Sequence, residues 1–151
     1  MRARQQRGLS LLEVAVTVAL LGLLLALAVG RWQGYMALQR LRYGAAQVAT
    51  GLRQAQERAR AERTAYTVTF VAGSRAYPIV RTGGGFQENA ELPDGITPTA
   101  SVTVRFDAFG RPVDAAGQPI ASAQTVTLAD PSGRTATATV SPGGGIDYQG
   151  P

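Results

Sequence analysis

The chain has 151 residues, with fifteen basic and ten acidic side chains and a formal net charge of +5. It has no cysteine and no histidine, and every basic residue is arginine. This excludes disulfide frameworks, thiolate or imidazole metal sites, a histidine general base and lysine Schiff-base chemistry. Three of the arginines fall in the first eight residues; beyond them twelve arginines face ten acids, so the basic balance is largely a property of the leader and is weak evidence for nucleic acid.

From Leu9 to Gly30 the residues are almost all Leu, Val, Ala and Gly, and the only charge among them is Glu13. A helix of roughly 22 residues rises about 33 Å, enough to cross the hydrocarbon core of a bilayer. A carboxylate inside such a segment costs roughly 2.5 kcal/mol or more and usually has a partner. Arg2, Arg4 and Arg7 precede the run and orient it with the N-terminus in the cytoplasm. A secretory signal peptide would give a basic start, an apolar stretch and a small-residue cleavage site such as Ala26-Leu27-Ala28. The run is longer than the usual apolar region of such a peptide, and Glu13 sits inside it. A plain membrane anchor fits the length but gives Glu13 no role.

The stretch Gly8-Leu9-Ser10-Leu11-Leu12-Glu13 resembles the class III signal of type IV pilins and type II secretion pseudopilins. That signal is a short basic leader ending in Gly, then an apolar residue, a Glu at the fifth position after the Gly, and a long apolar helix. The resemblance implies that a prepilin peptidase cuts between Gly8 and Leu9 and methylates the new amino terminus at Leu9. It also implies that Glu13 pairs with the amine of a neighbouring subunit during assembly. Leu9 and Glu13 are four residues apart, which puts them on one face of a helix.

Arg31-Trp32-Gln33-Gly34-Tyr35 closes the apolar run with a charge and two interfacial aromatics. Gly30 and Gly34 predict a bend or a partly unwound stretch there. Beyond it Leu38, Leu41, Ala45, Val48, Leu52, Ala55 and Ala59 alternate steps of three and four, one apolar stripe whose alanine-rich end predicts close approach to a sheet. In the charged run at 53–63, Arg53 and Arg58 each have a glutamate four residues on (Glu57, Glu62), the pattern of a self-paired solvated helix face.

From Thr64 the pattern changes to short alternating segments. Strands are expected at Tyr66–Val71, Tyr77–Arg81, Ser101–Phe106, Thr125–Leu128, Thr135–Val140 and Ile146–Tyr148. Turns are expected at Gly73-Ser74, Leu92–Ile96, Asp107–Pro112, Pro131-Ser132-Gly133 and Pro142–Gly145. Pro78 argues for an edge position of the second strand. Gly83-Gly84-Gly85 lacks the context and the lysine of a phosphate-binding loop. The fold class expected is α+β, type IV pilin-like: a long N-terminal helix packed on an antiparallel β-domain of about six short strands. The chain divides into a leader at 1–8, a transmembrane and assembly helix at 9–30, its amphipathic continuation at 31–63 and a periplasmic β-domain at 64–151.

The order of the later motifs is similar to that of the GspH/FimT branch of minor pilins and pseudopilins. These are Ala59-Arg60-Ala61-Glu62-Arg63, Leu92-Pro93-Asp94-Gly95, Val104-Arg105-Phe106 with Gly110, and Val140-Ser141-Pro142-Gly143-Gly144-Gly145-Ile146. Where the branch often has Pro in the turn after the Phe, this chain has Ala108. Where its DNA-binding members show a basic Gly-Arg motif, it has Gly145-Ile146-Asp147-Tyr148. The resemblance implies a subunit of a type IV pilus or a type II secretion pseudopilus. That subunit is held in the inner membrane with its head in the periplasm and then taken into the filament, with prepilin peptidase and other pilins as partners. No catalytic residue, cofactor or metal is expected. An alternative function is DNA capture for uptake, with Arg75, Arg81, Arg105, Arg111 and Arg134 on phosphates. An anchored enzyme would need a carboxylate pair such as Asp107 with Asp114 or Glu88 with Glu91.

Overall fold

The computed structural model describes residues 10–151, the side chains of 27–31 and 33 excepted. One helix, α1 (Leu11–Glu62), is followed by nine strands: β1 (Tyr66–Phe70), β2 (Ala76–Arg81), β3 (Gln87–Glu91), β4 (Thr97–Pro98), β5 (Val102–Phe106), β6 (Pro112–Val113), β7 (Gln124–Ala129), β8 (Thr135–Val140) and β9 (Ile146–Gln149). The architecture is α+β. The chain divides into two compact units at Met36/Ala37. In the first, the helix is not unwound at Gly30 or Gly34, where the glycines had suggested it. The leader at 1–8 and the Gly8–Leu9 bond lie outside the described residues.

In the second unit the strands form two antiparallel sheets, in the orders β3-β2-β1-β5-β6 and β4-β7-β8-β9. Strand β1 alternates buried with half-buried residues, and β7 buries Val126 and Leu128 between more exposed neighbours, as strands with one face on a core should. The core takes Leu41, Ala45, Val48, Leu52, Ala55 and Ala59 from α1 and large residues such as Tyr66, Phe70, Tyr77, Phe106 and Leu128 from the sheets. The apolar stripe therefore faces the core, with Leu38 only half-buried. Small residues let the helix come close. A Cβ on Gly44 would stand 3.3 Å from Ile96, and one on Gly51 3.2 Å from the Tyr77 hydroxyl. Helix α1 ends in a Schellman turn: Thr64 N–H donates to Ala59 O at 3.2 Å, and Arg63 takes the left-handed position with φ 51°.

Two further expectations are corrected, and one strand was not expected. Strand β2 is not at an edge, because β3 pairs along its other side. The β1–β2 ladder instead stops at Val68↔Ile79. The alternation of hydrogen-bonded pairs makes Pro78 the next residue that would donate to β1, and it has no N–H to give. Strand β3 itself, Gln-Glu-Asn-Ala-Glu, carries no apolar alternation to read; its charges suit an exposed edge. Finally, among the described residues the expected i,i+4 ion pairs of Arg53 with Glu57 and Arg58 with Glu62 do not form. Glu57 pairs with Arg60 at 2.8 Å, Glu62 with Arg81 at 3.6 Å, and Arg58 reaches across to Glu88 at 3.0 Å while lying over the Phe86 ring.

Candidate functional site

At its N-terminal end α1 opens on Ser10, whose carbonyl accepts from Glu13 N at 2.9 Å and Val14 N at 3.1 Å. Ser10 and Glu13 stand at the spacing of a capping box, a signal for the helix start that the sequence itself carries. Glu13 lies in the first helical turn, where the unpaired N–H groups favour a carboxylate. Among the described residues it forms no ion pair, and it is exposed. Every residue from Leu11 to Ala26 is likewise exposed, Leu11 at 88% and Leu25 at 66%. An uncharged cylinder of this kind after a single carboxylate is a surface made for lipid or for other helices. Gly8 and Leu9, the residues expected to be processed, lie outside the described residues.

The five arginines expected on phosphates are mostly engaged within the protein. Arg75 pairs with Asp94 at 2.7 Å and donates to Leu92 O, and Arg81 pairs with Glu62. Arg111 pairs with Asp107 at 2.7 Å and Arg134 with Asp130 at 2.6 Å. Among the described residues Arg105 meets no carboxylate; it donates to Ala115 O at 3.1 Å.

The pairs at Arg111 and Arg134 belong to a repeated turn. In Asp107–Arg111, Asp114–Gln118 and Asp130–Arg134 the first aspartate's Oδ1 accepts two backbone N–H groups, from the residues two and four on. Its N–H and C=O close the loop, and the glycine at the fourth position has positive φ, between 73° and 79°. Ser141–Gly145 repeats the loop with a hydroxyl in place of the carboxylate. Where the fifth residue is arginine, its Nε returns to the aspartate's Oδ2 at 2.8 Å. The spacing Asp-x-x-Gly-Arg is legible in the sequence and identifies these two arginines as turn-bound. Burial alone would raise the Asp130 carboxyl; the Arg134 backbone and guanidinium and the Ser132 N–H outweigh it and hold it below the ordinary aspartate range. Asp107 is held down in the same way by Arg111 and Phe109 against the effect of burial.

The carboxylate pairs that an enzyme would need are likewise divided. Asp107 and Asp114 each serve their own turn, and Glu88 pairs with Arg58. Among the described residues no three His, Cys, Asp or Glu stand together as a metal site.

Residues 3–29 match the family model described as the prokaryotic N-terminal methylation motif. No curated protein and no solved structure matches the chain. The motif supports the pilin and pseudopilin class, a structural subunit processed by prepilin peptidase and assembled with other pilins. The helix on antiparallel sheets is the arrangement of that class. Such a signal implies anchoring in the inner membrane. Among the described residues no helix is long and apolar enough to cross a membrane; Leu9 and the side chains of 27–30, which complete the expected span, lie outside them.

Proposed function

We propose that the chain is a minor pilin or pseudopilin of the GspH/FimT kind, cut between Gly8 and Leu9, methylated at Leu9, and built into a type IV pilus or a type II secretion pseudopilus. The observation that carries this reading is one carboxylate, Glu13, in the first turn of α1, in a stretch from Leu11 to Ala26 that is exposed and otherwise uncharged and lies within the matched methylation motif. After cleavage Leu9 carries a cationic amine. Both charges are costly in lipid alone, and pairing the Glu13 carboxylate with the amine of a neighbouring subunit removes that cost in only one register. The apolar helix spans the inner membrane before assembly and packs on other helices afterwards, with the β-domain on the periplasmic side and then on the filament surface.

Support for the structural role also comes from the head. Four of the five arginines that could serve DNA are held by carboxylates, and each acid considered for catalysis except Glu91 has a structural partner or a turn to hold. The test is to express the full chain with and without a prepilin peptidase and sequence the amino terminus by mass spectrometry. A methylated terminus at Leu9, dependent on the peptidase, is expected. A terminus at Met1 in its presence, or one generated next to Ala26-Leu27-Ala28, would overturn the reading.

A further inference from the structure

The five-stranded sheet ends at β3, the longest of the four outer strands, with five residues against four in β9 and two each in β4 and β6. Arg81 N–H donates to Phe86 O at 3.1 Å and Leu92 N–H to Arg75 O at 2.9 Å. In the β2–β3 register it is therefore the even-numbered residues of β3 that bond to β2. The same alternation turns the backbone N–H and C=O of Gln87, Asn89 and Glu91 outward, away from the sheet. One of these groups is already engaged: Glu91 O accepts from Gln47 Nε2 of α1 at 2.7 Å. Asn89 is exposed, and among the described residues its N–H and C=O meet no partner.

The side chains of β3 alternate as well. Glu88 and Ala90 pair with the buried Ile79 and Tyr77 and so share the face towards α1, while Gln87, Asn89 and Glu91 lie on the outer face. A groove of about 320 Å³ lies between Glu88 and Ala90 on the sheet and Tyr43, Gln47, Thr50 and Gln54 on α1. Its lining carries one charge, the Glu88 carboxylate, among hydroxyls, amides and small residues. On the outer face Glu91 forms no ion pair among the described residues, and β3 has no cation of its own. The edge thus offers main-chain groups for a ladder, a groove for alternate side chains and a carboxylate on each face. A second copy of β3 would bring further carboxylates to it, whereas a basic strand offsets those present.

We propose that β3 is a docking edge for an extended basic segment of another polypeptide, which adds to the sheet as one more strand. The residue opposite Asn89 exchanges both main-chain bonds with it. The residues on either side of that one send their side chains into the groove, where small hydroxyl residues suit Thr50 and Gln54. The next ones out set theirs on the outer face beside Gln87 and Glu91, where a cation meets the Glu91 carboxylate. Gln47 holds the next acceptor of the ladder, Glu91 O, and yields it to the incoming N–H.

Calorimetric titration of the full chain in detergent, with an end-capped seven-residue peptide of alternating threonine and arginine as probe, tests this. One comparator has glutamate in place of arginine. The other is N-methylated at every arginine, which keeps the charges but blocks the ladder. Saturable binding of the basic peptide is expected, with both comparators weaker by about tenfold or more. Asn89→Pro removes an outward N–H at the centre of the edge that β2 does not use, so it should abolish binding while the head still folds. Gln47→Ala frees Glu91 O and should strengthen binding several-fold, an outcome that a merely structural Gln47 would not give. Should Asn89→Pro fail to fold, the N-methylated peptide and Gln47→Ala decide. No saturable binding, equal binding of the N-methylated peptide, or binding indifferent to either variant would each overturn the edge. Self-association of the parent chain that is lost in Asn89→Pro would overturn the choice of occupant.

Discussion

Gln56 Nε2 donates to Gly110 O at 2.8 Å, and the same nitrogen donates to Gly144 O at 3.0 Å. Gly110 closes the turn between β5 and β6 of one sheet, and Gly144 the turn between β8 and β9 of the other. One buried amide on α1 thus ties together the corresponding turns of both sheets. Gln56→Leu keeps much of the volume but leaves two carbonyls without their donor, at a cost of about 2 kcal/mol. Denaturant unfolding of the β-domain should show a lower midpoint with an unchanged slope. An unchanged midpoint would mean that water replaces the amide at both turns.

Gly110 and Gly117 occupy equivalent places in two copies of the same turn, with φ 73° and 79°. A Cβ at Gly117 meets nothing within 4 Å, whereas one at Gly110 would stand 2.5 Å from Arg60 Nε and 2.7 Å from its Cγ. Gly117→Ala should therefore cost about 1 kcal/mol from left-handed backbone strain alone. Gly110→Ala should cost more, and Arg60→Ala in the same molecule should recover the excess but not the strain. Arg63 is the converse case: a non-glycine at φ 51° in the helix C-cap, where Arg63→Gly should stabilise by about 1 kcal/mol. Melting temperatures of the four proteins order these effects, and equal losses at Gly110 and Gly117 would show that Arg60 moves aside freely.

The parts of the head that rest on local periodicity are legible in the sequence. Leu41, Ala45, Val48, Leu52, Ala55 and Ala59 repeat at helical spacing and are all buried, and β5, β7 and β8 alternate as half-covered strands must. What escaped depends on distant partners. Strand β3 exists because β2 offers it an edge, not because Gln87–Glu91 prefers extension, and β4 and β6 are two-residue pairings with no pattern to read. Pro78 marks the end of a ladder rather than the rim of a sheet. Glu62 leaves its helical neighbour Arg58 for Arg81 because the sheet passes beneath it. Gln56 could not be read as a clasp, since its two acceptors lie 54 and 88 residues away. For Arg111 and Arg134 a nearer signal lay in the sequence: the Asp-x-x-Gly-Arg spacing ties each guanidinium back to the aspartate of its own turn.

Asp130 has a side chain with no exposed surface and a carboxyl held below the ordinary range by Arg134 and Ser132. Because its folded-state pKa is depressed, the stability it contributes is fully present above the unfolded aspartate pKa of about 3.9 and is lost as pH falls through the folded value. Asp130→Asn keeps an oxygen for the Ser132 and Arg134 N–H groups but removes the charge that Arg134 meets. The variant should be less stable than the parent at neutral pH, and the gap should close below about pH 4. Unfolding free energies at several pH values check this; a gap independent of pH would assign the loss to packing instead of the ion pair.

Glu13 offers the sharpest separation between an anchor and an assembly signal. It stands at the third position of α1, and Ser10 alone provides the backbone acceptor that starts the helix, so the segment does not need the carboxylate to be helical. Removing it also removes the one charge from the apolar run, which lowers the cost of entering a bilayer. Glu13→Ala should therefore insert at least as well as the parent and still be cut at Leu9. It should fail to enter a filament, because a neighbouring amine then has no counter-charge at that register. Carbonate extraction of membranes reads the first property, the amino-terminal mass the second, and recovery in sheared filaments the third. Glu13→Asp, one methylene short, should enter at a reduced level. Filaments that incorporate Glu13→Ala as well as the parent would leave the carboxylate without the pairing role and return the run at 9–30 to a simple anchor.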